Sequence, residues 1–228
     1  MGSCDCGGVR TLARTGTRAS VSAIALVAML LAGLGLLVLQ SPRASAQEPP
    51  TSASFAALAQ TCAPHVDVTT LAALVRVESG FNPYAIGVVG THLQSQPRSY
   101  AEAVATARAL AARGYNFSVG LGQVNVRNLA RVGESLATIF EPCRNLRASS
   151  AILQQCFARS SAHVAHATRT LDPQRALRDA LSCYYSGNFQ TGYRQGYVAS
   201  ILAGAYTNWR IARAQEARSN AAHSTQQR

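Results

Sequence analysis

Glu78 occupies a place on a helical face where an apolar residue is expected. In the stretch "LAALVRVESGFNP", apolar residues recur at Leu71, Leu74 and Val75, and the next i+7 position of that face is Glu78. A carboxyl turned toward an apolar groove keeps its proton to higher pH. Desolvation disfavours the charged form, and the negative end of the helix dipole acts in the same direction. A carboxyl still protonated near neutrality is a general acid, able to donate to a glycosidic oxygen. Ordinary glycosidases set a second carboxylate about 5–10 Å away as nucleophile or base. The nearest acids along the chain are Asp67, near the other end of the same helix, and Glu102, in a different one, so sequence places no second acid. A glutamate in the last turn of a helix is more commonly a solvated surface residue. Its company argues for chemistry: "ESGFNP", "GLGQVN" and "CYYSGN" each join polar or aromatic side chains to a glycine turn at a helix end, where side chains converge on a groove.

The elements that must position these residues are mainly helical. A first helix is predicted from about Ser54 to Gln60, and a second follows "HVDVTT" with Asp67 or Thr69 as N-cap and stops at Gly80 and Pro83. A third runs from Tyr100 to Arg113, closed by Gly114. Gly120 and Gly122 break any helix in "SVGLGQVN" and impose an extended or turning path, after which Asn125 is placed to cap a short helix. Further helices are predicted from Pro142 to about His166, from the Asp172 cap and Pro173 to Gly187, and from about Gly192 to Ala214. The fold class is mainly α with at most a small β-hairpin and no internal repeat.

Residues 1–46 read as an export signal: Arg10, Arg14 and Arg18 precede the apolar run "VSAIALVAMLLAGLGLLVL", and Ala44-Ser45-Ala46 has the small-residue pattern of a cleavage site. The run from Val21 to Leu39 is also long enough to be a retained N-terminal anchor. Residues 47–54 form a polar, proline-containing linker, 55–214 the ordered domain, and 215–228 a polar tail expected to be disordered.

Export sets the meaning of the cysteines. Cys62, Cys143, Cys156 and Cys183 lie in the exported part, an even number in an oxidising compartment, so two disulfides are expected with three connectivities open in principle. The pairing Cys62–Cys143 and Cys156–Cys183 is favoured: the second joins two successive long helices, the first two loop positions flanking the motif-bearing core. No metal is expected, because there is no C-x-x-C pair and His163 and His166 lack a spaced cysteine partner. All 21 basic residues are arginine, and residues 47–228 carry 17 of them against nine carboxylates. Such a surface attracts polyanions, yet the arginines are scattered and not interleaved with aromatics, so an anionic cell envelope or an acidic partner suits it better than nucleic acid.

The motifs "VESGFNPYAIG", "GLGQVNVRNL", "IFEPCRNL" and "CYYSGN", with "GYV" downstream, resemble the specialised lytic transglycosylases that accompany bacterial type IV secretion and conjugation machines. These are soluble lytic transglycosylases of lysozyme-like fold, and the resemblance covers about residues 58–205. It implies cleavage of the β-1,4 bond between N-acetylmuramic acid and N-acetylglucosamine in periplasmic peptidoglycan, without cofactor, leaving a 1,6-anhydro end. One glutamate then serves as acid and base, and the missing second carboxylate is accounted for. The resemblance assigns Glu78 as that residue and Ser79 as the serine beside it. Gln123, with Asn125 two residues on, is assigned to the sugar groove, and Tyr184 is the tyrosine near the acid. Gly122 stands where the family's G-L-M-Q motif has methionine, and Cys183 and Tyr185 flank Tyr184 where alanine and asparagine are usual. A hydrolytic muramidase and a non-catalytic glycan-binding scaffold of a secretion complex are the alternatives.

Overall fold

The computed structural model describes residues 52–170 and 172–226, all within the unit Ala46–Arg228. The reading of 1–46 as signal or anchor, and the 47–51 part of the linker, lie outside the described residues.

Helix α1 spans Ser52–Cys62, so the linker ends earlier than the sequence reading placed it: nothing after Pro50 obstructs helical φ/ψ. Helix α2, Val68–Ser79, is fixed at both ends by its own sequence. Asp67 accepts from the Thr70 amide at 2.9 Å, and Gly80, at φ 59°, closes it by donating to the Arg76 carbonyl. Its inward face is Leu71, Ala73, Leu74 and Val75, all fully buried, and each large one contributes about 1.5–3 kcal/mol by leaving water. Phe81 follows at φ 68°, a left-handed conformation unfavourable for a non-glycine residue, held by an edge-on contact with Phe55 at 5.1 Å between centroids.

The chain then forms strand β1, Ile86–Val88, helix α3, Tyr100–Ala112, and strands β2, Phe117–Val119, and β3, Val124–Asn125. The three strands make one antiparallel sheet in the order β1-β2-β3, with Ile86 opposite Val119 and Ser118 opposite Asn125. The sequence reading allowed at most a small hairpin; the β2–β3 pair fits that limit, and β1 exceeds it by making a three-stranded sheet. Three-residue strands are too short for alternation to betray them. The free edge of β1 is closed by the Gln96 amide, which accepts from the Ile86 N–H at 2.8 Å and donates to its carbonyl at 3.0 Å. Two 3₁₀ turns follow β3, Val126–Asn128 and Ala130–Val132, the first capped by Asn125 through the Arg127 amide.

Helix α4, Pro142–Thr168, is the longest buried element, and helix α5, Pro173–Ser186, lies against it, N-capped by Asp172 and ended at Gly187. Two disulfides join the helices, Cys62–Cys143 from α1 to α4 and Cys156–Cys183 from α4 to α5, the same pairing favoured above. The last helix departs from the sequence reading at both ends. A short helix α6, Thr191–Arg194, is separated by left-handed Gly196 from helix α7, Tyr197–Gln226. The expectation of a disordered tail at 215–228 is thus corrected for residues 215–226: polar as it is, that stretch contains no glycine or proline to end a helix, and alanine, arginine and glutamine propagate one.

Two apolar cores result. One gathers α1, α2, α4, α5 and α7 around Leu71, Leu146 and Leu181; the other gathers the sheet and α3 around Phe117, Val119 and Phe140. Tyr184 packs against both.

Candidate active site

The groove between these cores encloses about 520 Å³ and is lined by Glu78, Gln123, Asn125, Tyr184 and Tyr185 together with the β1 residues Gly87 and Val88. Helical spacing puts Glu78 one step beyond the buried stripe of α2, so its carboxyl reaches the groove with protein around it. Burial pushes the carboxyl up to about 7 from its ordinary 4.5; the Tyr197 hydroxyl, donating to Oε1, pulls the other way and loses. Because Oε1 accepts from Tyr197, the proton of the neutral acid sits on Oε2. Among the described residues, no other aspartate or glutamate lines the groove.

Tyr197 is the site residue that sequence reasoning missed. The signal was present in "GYV": left-handed Gly196 lets α7 begin at Tyr197, which places its hydroxyl on Glu78. Burial foremost, then the neighbouring Glu78 charge, holds that hydroxyl far above the ordinary tyrosine range, so it is a donor at every working pH. The exposed ring of Tyr185 stacks on Tyr197 with centroids 4.6 Å apart.

The turn bearing Gln123 is built by a buried amide. Asn145, on α4, donates to the carbonyls of Val119 and Ile139, both at 3.0 Å, and accepts from the Gly122 amide at 2.8 Å. The close approach explains two glycines. A Cβ on Gly120, at φ 77°, would lie 2.0 Å from Asn145 Nδ2, and one on Gly122 would lie 2.5 Å from Ser149 Cβ. The Gly122 carbonyl accepts from the Tyr184 hydroxyl, so position 122 joins the turn to α5 with no room for a side chain. Burial, and after it the charge of Glu78, holds Tyr184 protonated well above its ordinary pKa.

Gln123 adopts φ 47° and donates both Nε2 hydrogens, to Ala85 O at 3.0 Å and Gly120 O at 2.9 Å, leaving Oε1 as its acceptor beside Gly87. Asn125 lines the groove while its Nδ2 donates to Asn116 Oδ1 at 3.0 Å. Ser79 does not join them: its hydroxyl returns to the Val75 carbonyl at 3.2 Å, and it is not among the lining residues.

A family model described as the transglycosylase SLT domain matches residues 55–200. The chain is 48% identical over 156 residues to the type IV secretion system protein virB1 of Brucella suis biovar 1, a match covering 66% of this chain and 63% of that protein. It is 36% identical over 156 residues to protein virB1 of Rhizobium radiobacter, covering 67% and 61% of the two chains. It is 34% identical over 171 residues to protein virB1 of Agrobacterium fabrum, covering 74% and 66%. The matched part is thus less than two thirds of each of these relatives' own length. No solved structure matches significantly.

Proposed function

This chain belongs to the transglycosylase SLT family, and from that premise we propose that it is a lytic transglycosylase of periplasmic peptidoglycan that opens the cell wall for a type IV secretion or conjugation apparatus. The observation that most supports the reading is a solitary carboxyl, Glu78, held protonated close to neutrality in a groove that no second carboxylate lines among the described residues. A hydrolase of the two-carboxylate kind needs that second group; an intramolecular reaction does not, because the substrate carries its own nucleophile at high effective concentration.

The neutral acid donates its Oε2 proton to the oxygen linking the muramoyl C1 to the next sugar, and the C1–O bond breaks. The resulting carboxylate takes the proton of the C6 hydroxyl of the same muramoyl residue as O6 bonds to C1. The 1,6-anhydro ring forms and Glu78 is left protonated, with no water consumed. Tyr197 positions the carboxyl and stabilises its charged form between the two transfers. Gln123 Oε1 is available to accept from a sugar hydroxyl, and Tyr184 fixes the turn that carries Gln123. The link to a secretion apparatus rests on the name of the Brucella suis relative, a type IV secretion system protein.

Digestion of isolated peptidoglycan with the purified chain, followed by mass spectrometry of the products, tests the reading. Anhydro-muropeptides are expected. Reducing muramic acid ends would instead make it a hydrolytic muramidase, and binding without any product a glycan-binding scaffold.

A further inference from the structure

A second groove lies on the other side of α2. Arg76 and Glu78 are two residues apart, about 200° round the helix, so α2 and α7 build this groove as well, from Arg76 on the first and Asn208 and Trp209 on the second. It also encloses about 520 Å³, and most of its wall is apolar, with Phe55, Phe81, Trp209 and Ile211 as the large side chains.

Two polar groups in that wall have donors without acceptors. Arg76 Nε donates to Asn208 Oδ1. A guanidinium can only donate, so the amide oxygen must face Arg76 and Nδ2 must face away. That Nδ2 is buried without a hydrogen-bond partner. The Arg76 cation lies 5.2 Å from the Phe81 ring centroid, and the ion pair found among the described residues is elsewhere, between Arg144 and Glu134. Among the described residues, no aspartate or glutamate lines the groove. Exposed Arg213 adds positive charge at its edge, lying 5.8 Å from the Trp209 ring centroid.

A buried donor lacking an acceptor is a standing cost, and one beside an unpaired cation is relieved most by an anionic acceptor. We propose that this groove docks an acidic segment of a partner protein, in which an aspartate or glutamate sits between large apolar side chains. The carboxylate accepts from Arg76, and from Asn208 Nδ2 once the amide turns that buried group toward the groove, while its apolar neighbours cover Phe81, Trp209 and Ile211. A glycan is a poorer occupant, because a wall this apolar leaves most sugar hydroxyls unmatched. The net positive charge of residues 47–228 steers the same class of partner toward the surface.

Trp209 is the sole tryptophan of the chain, so its fluorescence reports on this groove directly. The full chain is titrated with acetyl-Leu-Glu-Phe-amide and, separately, with acetyl-Leu-Gln-Phe-amide. A saturable change in Trp209 emission is expected for the first, with affinity about tenfold lower for the second, as charged and neutral acceptors differ. Arg76→Gln should abolish that preference and Asn208→Ala should reduce it, each with an unchanged circular dichroism spectrum and unchanged peptidoglycan turnover. Equal affinity for the two peptides, or no saturable change with either, would overturn the proposal. So would a Trp209 shift produced by protein concentration alone or by Glu48→Gln alone, which would give the groove to a second copy or to the chain's own preceding segment.

Discussion

The Tyr197 hydroxyl donates to Glu78 Oε1, tying the first turn of α7 to the last turn of α2 across 119 residues of sequence. The bond favours the carboxylate and so holds the Glu78 pKa lower than burial alone would set it. Tyr197→Phe should therefore raise that pKa beyond about 7, where it now lies. The alkaline fall of the pH–rate profile, where the acid loses its proton, should move to higher pH. Turnover should drop about tenfold as the carboxyl loses its orientation. A tyrosine with only a packing role would lower activity without moving the profile.

Glu78→Gln keeps the shape and removes the transferable proton, so release of anhydro-muropeptides should fall by about 10²–10⁴-fold. Stability should move the other way, with a sign set by the raised pKa. Between about 4.5 and 7 the folded state holds a proton that the unfolded chain gives up, so the wild type loses stability as pH rises through that window. The glutamine variant lacks this loss. Its advantage in urea denaturation should be near zero at pH 4 and reach about 1–3 kcal/mol at pH 8. A variant that is folded and cleaves at the wild-type rate would remove Glu78 from the mechanism.

Much of this was readable from single residues. Asp67 and Asp172 announced their helices as capping residues, and Gly80 and Gly187 their ends, because these signals act within one turn of backbone. The place of Glu78 on the groove was legible because one carboxylate interrupted a regular apolar stripe. Tyr197 and Asn145 were not, because each works on a partner remote in sequence: Asn145 reads locally as one more polar helix residue, although its amide holds the Gly120–Gln123 turn. The length of α7 escaped for a different reason. Its last residues make a polar helix with no apolar stripe, and periodicity detects helices by that stripe.

The fit of Gly122 against Ser149 gives a steric prediction. Gly122→Ala would set a methyl 2.5 Å from Ser149 Cβ and 3.1 Å from the Tyr184 hydroxyl. The turn must shift, at a cost of about 1–3 kcal/mol, and Gln123 with it, so activity should fall as well. Ser149→Gly removes the obstructing side chain. Combined with Gly122→Ala it should restore at least half of the lost stability in a double-mutant cycle; additive losses would mean that the contact does not govern this position.

The two disulfides should separate in their effect on catalysis. Cys62–Cys143 spans 81 residues and Cys156–Cys183 spans 27, so chain entropy makes the first worth about 1 kcal/mol more within a usual range of about 2–4 kcal/mol. Their places in the fold point the other way for function. Helix α5 is fastened to α4 near its start by the Ser160 hydroxyl, which donates to the Ala176 carbonyl at 2.7 Å, and near its end by the Cys156–Cys183 bond. Tyr184 is the residue after Cys183, and its hydroxyl holds the Gly122 carbonyl of the groove turn. Replacing Cys156 and Cys183 by alanine frees the end of α5 that carries Tyr184, whereas replacing Cys62 and Cys143 loosens from α4 the helix α1, none of whose described residues lines the groove. The Cys62/Cys143 variant should therefore show the lower Tm and near wild-type turnover at 25 °C, and the Cys156/Cys183 variant the higher Tm and the lower turnover. Turnover that simply follows Tm in both would show that the disulfide acts on stability alone and that Tyr184 holds its place without it.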